Sequence, residues 1–215
     1  MQNLRELLIS FTEQDYLDKK VNLHIHTKHS DGEGEETQIV NSAKAQNYKL
    51  IAITDHNTVE AHKNLQDENL LTGVEFDCWF GYVFIHLLAY GIDINNSAIQ
   101  TFLAKKKKDT EGVIPRLIAK RDVKKLIEAI HIAGGVAVLA HPACYWALSL
   151  DKLVKDLMKI GLDGVETYYP YPNLRGIIKF HTSEEVLKIA NKYPQLIKTP
   201  NLSLRFVQGQ EMSYI

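Results

Sequence analysis

The chain lacks any apolar segment long enough to cross a bilayer. Its longest apolar runs are YVFIHLLAY and GVAVLA, whereas a membrane-spanning helix needs about 20 apolar residues, so we interpret both runs as buried strands. The N-terminal segment carries acidic residues throughout and has neither a basic region nor a small-residue cleavage site, so we expect no signal peptide. The sequence therefore predicts a protein that is not inserted in a membrane, and we expect a cytoplasmic location.

Cysteine and net charge are also scarce. The two cysteines, Cys78 and Cys144, follow no framework spacing, so we expect reduced thiols rather than a disulfide. A net charge of -1 gives no overall field that would attract nucleic acid. The run KKKKD at residues 105–109 is locally basic, and we interpret it as a solvated helix end or loop, with a phosphate-steering patch as the alternative.

Signatures of several enzyme classes are missing as well. The sequence contains no GxSxG elbow, no P-loop and no GxGxxG fingerprint, and neither cysteine has an obvious catalytic setting. It contains no internal repeat and no low-complexity segment. The nine histidines of the chain are therefore the main candidates for functional side chains.

Strand-like and helix-like runs alternate along the 215 residues, a length that suits one domain. The predicted strands are VNLHIHT, LIAITDH, LLTGVEFD, YVFIHLLAY, GVAVLAHP and GLDGVETYY. Helices are predicted from near Thr37, after Thr58, from about Asn95, in DVKKLIEAIHIAGG and LDKLVKDLMKIG, and after a capping box of Thr182 and Glu185. This alternation implies an α/β fold with a parallel or mostly parallel sheet wrapped by helices.

Histidines and carboxylates fall at or near the ends of successive predicted strands. They are His24, His26, Asp31, His56, Glu75 and His86. Neighbouring strand tips converge on one small volume in a barrel, so ligands delivered one per strand can build a metal site. The pattern favours a multinuclear metallohydrolase.

Each motif also has a structural alternative. His24 and His26 share one face of a strand, as a metal site requires, but they could be a buried structural pair. Asp31 could form an Asx-turn, and His86 could be a hydrogen-bonded core residue. Asp55 is expected to orient a neighbouring imidazole or to cap the following helix.

The remaining candidates differ in how strongly their setting points to a metal. Glu75 could bridge two cations, and His141 is held at a rigid strand tip by the proline that follows it. His29 and His62 are expected at the surface. Residues not expected to be ligands are His131 and His181.

The order of these motifs resembles that of the PHP (polymerase and histidinol phosphatase) family. The matching segments are HIHTKHSDGEG, ITDHNT, GVEF, HLLAYGID, AIHIAGGVAVLAHP and GLDGVETYYP, from about Val21 to Tyr193. The resemblance implies a distorted (β/α)7 TIM-like barrel that holds up to three divalent ions and hydrolyses phosphoesters. Similar proteins include histidinol-phosphate phosphatases, nucleoside bisphosphate phosphatases, 5′ exonucleases of RNA and domains of bacterial DNA polymerases.

The resemblance also implies a ligand set. By motif match, the ligands would be His24, His26 and Glu75 for the first ion, Glu75, His86 and His141 for the second, and Asp31 and His56 for the third. Zinc, manganese and iron all suit such a mixed shell. The favoured mechanism is attack by a metal-activated hydroxide, without a catalytic side chain, on a small phosphorylated substrate or a nucleic-acid end.

The chain departs from the family pattern in two places. The final Asp-x-His of the family is absent from residues 200–215, which leaves only the second ion with its full protein ligand set. The barrel is therefore expected to be incomplete at its C-terminal end. We assign residues 1–20 to an N-terminal extension, residues 21–199 to the PHP-like domain and residues 200–215 to an atypical tail.

The second departure is a short stretch between His86 and His141, where many relatives insert substrate-binding arginines. Here Arg116 and Arg121 are the candidates, with a plain surface position as the alternative for both. Three interpretations stay open: a working phosphoesterase, a degenerate PHP-fold binding module with a partial metal site, and a nucleic-acid accessory domain, against which the neutral charge argues.

Overall fold

Seven strands follow one another across a single curled sheet in the order in which they occur in the sequence. The computed structural model describes residues 3–18, 20–118, 120–167 and 180–199. The strands are β1 (Val21–Ile25), β2 (Leu50–Ile53), β3 (Leu70–Phe80), β4 (Val83–Tyr90), β5 (Val136–Leu139), β6 (Gly164–Glu166) and β7 (Ile197–Thr199). Among the described residues, β1 and β7 form no ladder with each other, so the sheet is a curled half-barrel.

Most neighbouring strands are parallel, as the alternation of strands and helices predicted. The parallel pairs are β1–β2, β2–β3, β5–β6 and β6–β7, whereas β4 runs antiparallel to both β3 and β5. The hairpin between β3 and β4 turns at Gly81, whose φ of +62° is readily adopted only by a residue without a Cβ. The predicted turn at residues 79–81 is therefore shorter in the structure, and Glu75 lies inside β3 rather than at its end.

The helices cover the outer face and one end of the half-barrel. They are α1 (Leu4–Ser10), α2 (Glu13–Leu17), α3 (Glu36–Ala45), α4 (Ser97–Gln100), α5 (Lys108–Glu111), α6 (Val113–Ile118), α7 (Val123–Ile132), α8 (Leu150–Lys159) and α9 (Ser183–Lys192). The lysines at residues 105–108 are exposed around the start of α5, as expected of a solvated helix end. Among the described residues, no helix has the length and apolar character needed to span a membrane.

Two predicted helices are much shorter than expected. The segment after Thr58 forms only a 3₁₀ turn at Glu60–His62, because its buried residues Val59 and Ala61 are two positions apart and do not make a helical apolar face. The helix predicted from about Asn95 contains only the four residues of α4.

The interior of the half-barrel is apolar at the amino end of its parallel strands. Leu8 of α1 and Tyr16 of α2 are buried there with Leu23, Leu88 and side chains of β2, β5 and β7. These two helices close that end of the sheet, and Thr12 begins α2 with a complete capping box. The helices α1 and α2 therefore pack on the strands, while the boundary of the predicted extension, residues 1–20, stays a prediction.

A second apolar layer lies between the outer face of the sheet and the helices α7, α8 and α9. The N-caps of α7, α8 and α9 are Asp122, Ser149 and Thr182, and each side chain accepts a backbone N–H hydrogen bond. The capping box predicted for α9 is only half formed, because Glu185 pairs with His181 instead of returning to the cap. The predicted atypical tail, residues 200–215, lies outside the described residues.

Both cysteines are described. Cys78 is buried within β3, Cys144 is half-buried after β5, and both are free thiols, which confirms that they do not form a disulfide.

Candidate metal centre

The strand β1 delivers two histidines to the interior through a change in its alternation. Val21 and Leu23 pack inside the half-barrel, whereas Ile25 packs outside with α3. The alternation therefore breaks after Leu23, and His24 and His26 point inward instead of outward. The pairing of β1 with β2 is irregular over the same residues. As a result, the Nε2 atoms of His24 and His26 lie 3.1 Å apart, which confirms that both rings share one face.

The loop after β1 is fixed by a buried aspartate. Asp55 accepts hydrogen bonds from the backbone and hydroxyl of Thr27, both at 2.7 Å, and from the Ser30 hydroxyl at 2.6 Å. The expectation that Asp55 orients an imidazole or caps a helix is therefore wrong, because these loop donors occupy its carboxylate. Its role is to hold in place the loop that carries Asp31.

Asp31 reaches the imidazoles because its loop folds back tightly over the end of β1. A Cβ on Gly32 would lie 2.3 Å from the carbonyl oxygen of His26, so only glycine permits this approach. Asp31 Oδ1 then lies 2.6 Å from His26 Nδ1, and Asp31 Oδ2 lies 3.5 Å from Nε2 of His56. His56 follows β2 and forms an isolated bridge with Glu75.

Glu75 lies at the centre of the cluster, and its two oxygens face different groups of histidines. Oε2 lies 3.1 Å from His24 Nε2 and 2.9 Å from His26 Nε2. On the other side, Oε1 lies 2.8 Å from His86 Nδ1 and 2.9 Å from His141 Nε2. One buried carboxylate therefore joins two sets of imidazoles.

His141 reaches this position through an unusual backbone conformation. Its φ of +23° lies outside the regions that L-residues normally adopt, and Pro142 begins a 3₁₀ turn directly after it. The backbone N–H of His141 donates to Glu166 Oε2 at 2.6 Å. The strained tip turns the imidazole toward His86, whose Nδ1 lies 3.1 Å from His141 Nε2.

Two carboxylates that the sequence interpretation missed complete the pocket. Glu166, at the end of β6, accepts from His24 Nδ1 at 2.8 Å, so it orients that ring and leaves Nε2 toward Glu75. Asp77 follows Glu75 by two positions on the same face of β3, with Oδ1 3.1 Å from His86 Nε2 and 3.3 Å from His56 Nδ1. The sequence contains a signal for each residue. Glu166 ends the apolar run GLDGVE, and Asp77 follows Glu75 by two positions, which is the period of side chains on one face of a strand.

The two candidate arginines lie in different surroundings. Arg116 of α6 is buried, which excludes the surface alternative for that residue, and its guanidinium contacts Asp31, His56 and Asp77. Arg121 is half-buried and donates to the carbonyl oxygens of Phe102 and Asp77. A substrate-binding role for either arginine stays a prediction.

Four histidines lie outside the cluster. His29 is half-buried beside Glu36, and His131 and His181 pair with Asp163 and Glu185. The surface position expected for His62 is wrong. The ring of His62 is buried against the backbone of β2 and β3, with Nε2 2.9 Å from the Ile53 carbonyl oxygen, because the short turn after β2 folds inward.

Burial and mutual charge perturb the pKa values of the cluster. Burial alone lowers the pKa of the two β1 histidines, but the adjacent carboxylates outweigh it and raise the pKa of His24 well above normal and that of His26 to about 9. Burial lowers the pKa of His56 to about 4. Burial alone raises the pKa of Glu75, but the surrounding histidines hold that pKa well below its usual range.

The donor atoms fit divalent cations. Four overlapping groups, each with ligand atoms within 4.8 Å of one another, occur among the described residues: His24–His26–Glu75, His26–Asp31–His56, His56–Asp77–His86 and Glu75–His86–His141. Imidazole nitrogens with carboxylate oxygens suit zinc, manganese and iron. All seven predicted ligands therefore meet in one pocket at the carboxyl ends of the parallel strands.

The curled α/β sheet and the cluster of imidazoles and carboxylates at one end of it place the chain among α/β proteins with a candidate metal centre. Within that class, the sequence model of the PHP domain matches residues 22–198, so the chain belongs to the PHP-domain family. This match confirms the resemblance of the motifs.

Two enzymes are among the relatives that are similar to part of the chain. The 5′-3′ exoribonuclease Rnm of Salmonella typhimurium is 34% identical over 122 residues, which cover 52% of this chain and 39% of the relative. The 3′,5′-nucleoside bisphosphate phosphatase of Chromobacterium violaceum is 32% identical over 120 residues, which cover 53% of this chain and 40% of the relative. The chain thus matches well under half of either enzyme's length.

The fold is similar to the crystal structure of a candidate metal-dependent phosphoesterase from Bifidobacterium adolescentis. The TM-score is 0.67 at 19% sequence identity, and the alignment covers 90% of both chains. This similarity establishes the PHP fold expected from the motifs, a TIM-like α/β architecture that here forms a half-barrel.

Proposed function

We propose that this chain is a metal-dependent phosphoesterase, a hydrolase that cleaves a phosphate ester with two divalent ions held around Glu75. Membership of the PHP family supports this proposal, as do the names of the two relatives, an exoribonuclease and a nucleoside bisphosphate phosphatase. The proposed ligands are His24, His26 and Glu75 for one ion, and Glu75, His86 and His141 for the other.

The position of Glu75 carries the proposal. Its Oε2 lies within 3.1 Å of His24 and His26, and its Oε1 lies within 2.9 Å of His86 and His141. A carboxylate with one oxygen in each of two ligand groups is the arrangement that bridges a pair of cations and offsets their repulsion. A hydrogen-bonded structural cluster has no need for this symmetry about one side chain.

Each residue of the pocket has a distinct task in the proposed reaction. Divalent ions supply an activated water and charge stabilisation for the phosphoryl oxygens when they are bound. Glu166 holds the His24 ring through Nδ1 and thereby fixes the nitrogen that remains for an ion. Asp55 holds the loop that brings Asp31 to the pocket. We propose no catalytic side chain beyond the ion ligands.

The substrate class follows from the relatives and is correspondingly broad. We propose a nucleoside bisphosphate, another small phosphomonoester, or a short RNA or DNA 5′ end. Zinc, manganese and iron are all compatible with the ligand set. The cytoplasmic location expected from the sequence stays a prediction.

Hydrolysis of a nucleoside 3′,5′-bisphosphate and of a 5′-phosphorylated oligoribonucleotide tests the proposal. The purified chain is assayed with added Mn²⁺ or Zn²⁺, and phosphate or nucleotide release is measured. We expect metal-stimulated hydrolysis of at least one substrate, and we expect His141→Ala to abolish it. His131→Ala, which changes an exposed histidine outside the pocket, is the matched control. Absence of hydrolysis with every metal and substrate would contradict the proposal.

One observation favours a second candidate, a PHP-fold binding module with little or no catalysis. Residues 200–215 contain no aspartate and no histidine, so they cannot supply the Asp-x-His of the family. The ion count of the purified chain separates the two functions. Two or more ions per chain support the phosphoesterase, whereas one or none supports the binding module.

A further inference from the structure

The guanidinium of Arg116 lies among the very side chains that would hold a third ion. Its Nη2 is 2.6 Å from His56 Nε2 and 2.8 Å from His56 Nδ1. Its Nη1 is 3.2 Å from Asp31 Oδ2. The short helix α6, far from both residues in sequence, thus inserts a fixed positive charge between them.

Asp77 anchors this guanidinium from the opposite side. Nε of Arg116 lies 3.0 Å from Asp77 Oδ2 and 3.2 Å from Oδ1, and Nη2 lies 3.1 Å from Oδ1. Asp77 is fully buried, and Asn57 both donates to its carboxylate and accepts from its backbone N–H at 3.0 Å. A buried carboxylate left without its cation is costly, so Asp77 holds Arg116 in the pocket.

An ion and the guanidinium compete for the same donor atoms. The groups His26–Asp31–His56 and His56–Asp77–His86 both contain His56, whose two ring nitrogens face Nη2 of Arg116. Arginine remains protonated at all ordinary pH values. A divalent cation at either group would therefore meet a permanent positive charge at the edge of the His56 ring, where Nη2 of Arg116 already lies.

The two ligand groups around Glu75 are free of this competition. The guanidinium of Arg116 hydrogen-bonds to Asp31, His56 and Asp77, and none of these three residues belongs to either of the ligand groups that contain Glu75. The two ligand groups around Glu75 are therefore open to divalent ions, whereas the part of the pocket around His56 already contains the guanidinium of Arg116.

We propose that Arg116 takes the place of a third metal ion, so that this chain binds two divalent ions and carries the third positive charge of its pocket as a guanidinium. The inference rests on the proposed function for the two ions around Glu75. It assigns Asp77 to anchoring Arg116 rather than to ion binding.

Counting bound ions tests the proposal directly. The full chain is dialysed against excess Mn²⁺, and bound manganese is measured by mass spectrometry and by calorimetric titration. We expect two ions per wild-type chain and three per Arg116→Leu chain, a gain of one ion. The matched control is Lys124→Leu, which removes an exposed positive charge on α7 outside the pocket and should leave the count at two.

The outcomes separate this inference from the proposed function. Three ions in the wild-type chain would overturn the role of Arg116 while leaving the phosphoesterase intact. Fewer than two would contradict both. An unchanged count of two in a folded Arg116→Leu chain would overturn the inference alone.

A measurement on the wild-type chain covers the case in which Arg116→Leu does not fold. The Nε–H signal of Arg116 is followed by nitrogen-proton correlation NMR during a Zn²⁺ titration and is assigned with Arg116→Lys. We expect the signal to stay protected from exchange through two equivalents, because the bond to Asp77 persists. Loss of protection as the ions bind would overturn the proposal, since it would mean that Arg116 leaves the pocket.

Discussion

The two ends of the half-barrel interior are built on the same strands but have opposite chemistry. At the amino end of the parallel strands, Leu23 and Leu88 pack with α1 and α2. At the carboxyl end, His24 and His86 converge on Glu75. On β4 only two positions separate the buried apolar residue Leu88 from the candidate metal ligand His86.

The stability of the fold resides mainly at the amino end, which α1 and α2 close and which is called the closed end below; the carboxyl end is called the open end. Burial of apolar surface stabilises the closed end, at about 25 cal/mol per Å² removed from water. At the open end, buried carboxylates and imidazoles must first be desolvated, and their pairing recovers that cost only in part. Variants at the closed end should therefore change folding, and variants at the open end should change ion binding.

The largest effect is expected from Glu75→Gln at the open end. The substitution keeps the shape of the side chain but removes the charge shared by two ligand groups, so we expect metal-dependent hydrolysis to fall by more than about 100-fold. Phosphate release and bound metal are measured together. Glu60→Gln, at an exposed side chain of the 3₁₀ turn after β2, is the control. Retention of both ions and activity by Glu75→Gln would contradict the bridging role.

At the closed end, Leu88→Ala should lower the free energy of unfolding by about 2–5 kcal/mol, because it leaves a cavity between α1, α2 and the sheet. Urea titration followed by circular dichroism measures the change. Leu187→Ala, at an exposed position of α9, should stay within about 0.5 kcal/mol of the wild type. If Leu88→Ala instead abolished ion binding in the folded protein, the division between the two ends would be wrong.

Glu166→Gln tests the support behind the open end. The amide can no longer accept from both His24 and the His141 backbone, so we expect ion affinity to fall by about 10–100-fold. Calorimetric titration with Mn²⁺ measures the change. Glu128→Gln, exposed on α7, is the control. An unaltered affinity would mean that the His24 ring needs no such support.

Ion affinity at the open end should rise with pH between 7 and 9. In the metal-free protein the pKa of His26 is raised to about 9, so its proton is held below that pH and competes with the cation. Each proton released on binding gives about a tenfold gain in affinity per pH unit. Titration with Mn²⁺ at pH 7, 8 and 9 measures the slope, and a flat profile would exclude proton competition.

The smallest effect is expected from Thr12→Ala, which removes the cap of a helix that closes the apolar end. We expect a loss of about 1 kcal/mol in the free energy of unfolding and no change in bound metal. Thr37→Ala, at an exposed position of α3, is the comparison in the same urea titration. Loss of metal without loss of stability in Thr12→Ala would contradict the proposed independence of the two ends.

The sequence was most informative where strand and ligand coincide. His24, His56 and His141 could be placed from their positions at or just beyond the ends of apolar strands, because parallel strands bring those ends together. Glu75 was also predicted as a metal ligand, but its position was predicted at the end of a strand. The structure continues β3 to Phe80, because the antiparallel hairpin pairs residues on both sides of Glu75.

Other parts of the pocket could not be predicted from local pattern. Asp77 lay in what was interpreted as the end of a strand, and only the continuation of β3 shows that it faces inward beside Glu75. His62 and Arg116 are polar residues in weakly patterned segments, which usually lie at the surface. Both are buried here because their short helical turns fold against the sheet.

The amino-acid pattern alone specified the alternation of strands and helices, and with it the end of the sheet at which the candidate metal ligands lie. That much is local, because it depends on periodicity and on which residue ends each strand. The contact of Glu166 with His24, and those of Arg116 with Asp31, His56 and Asp77, appear only in the folded chain. Those contacts join residues far apart in sequence, and they depend on how the sheet curls and where α6 enters it, which no local pattern specifies.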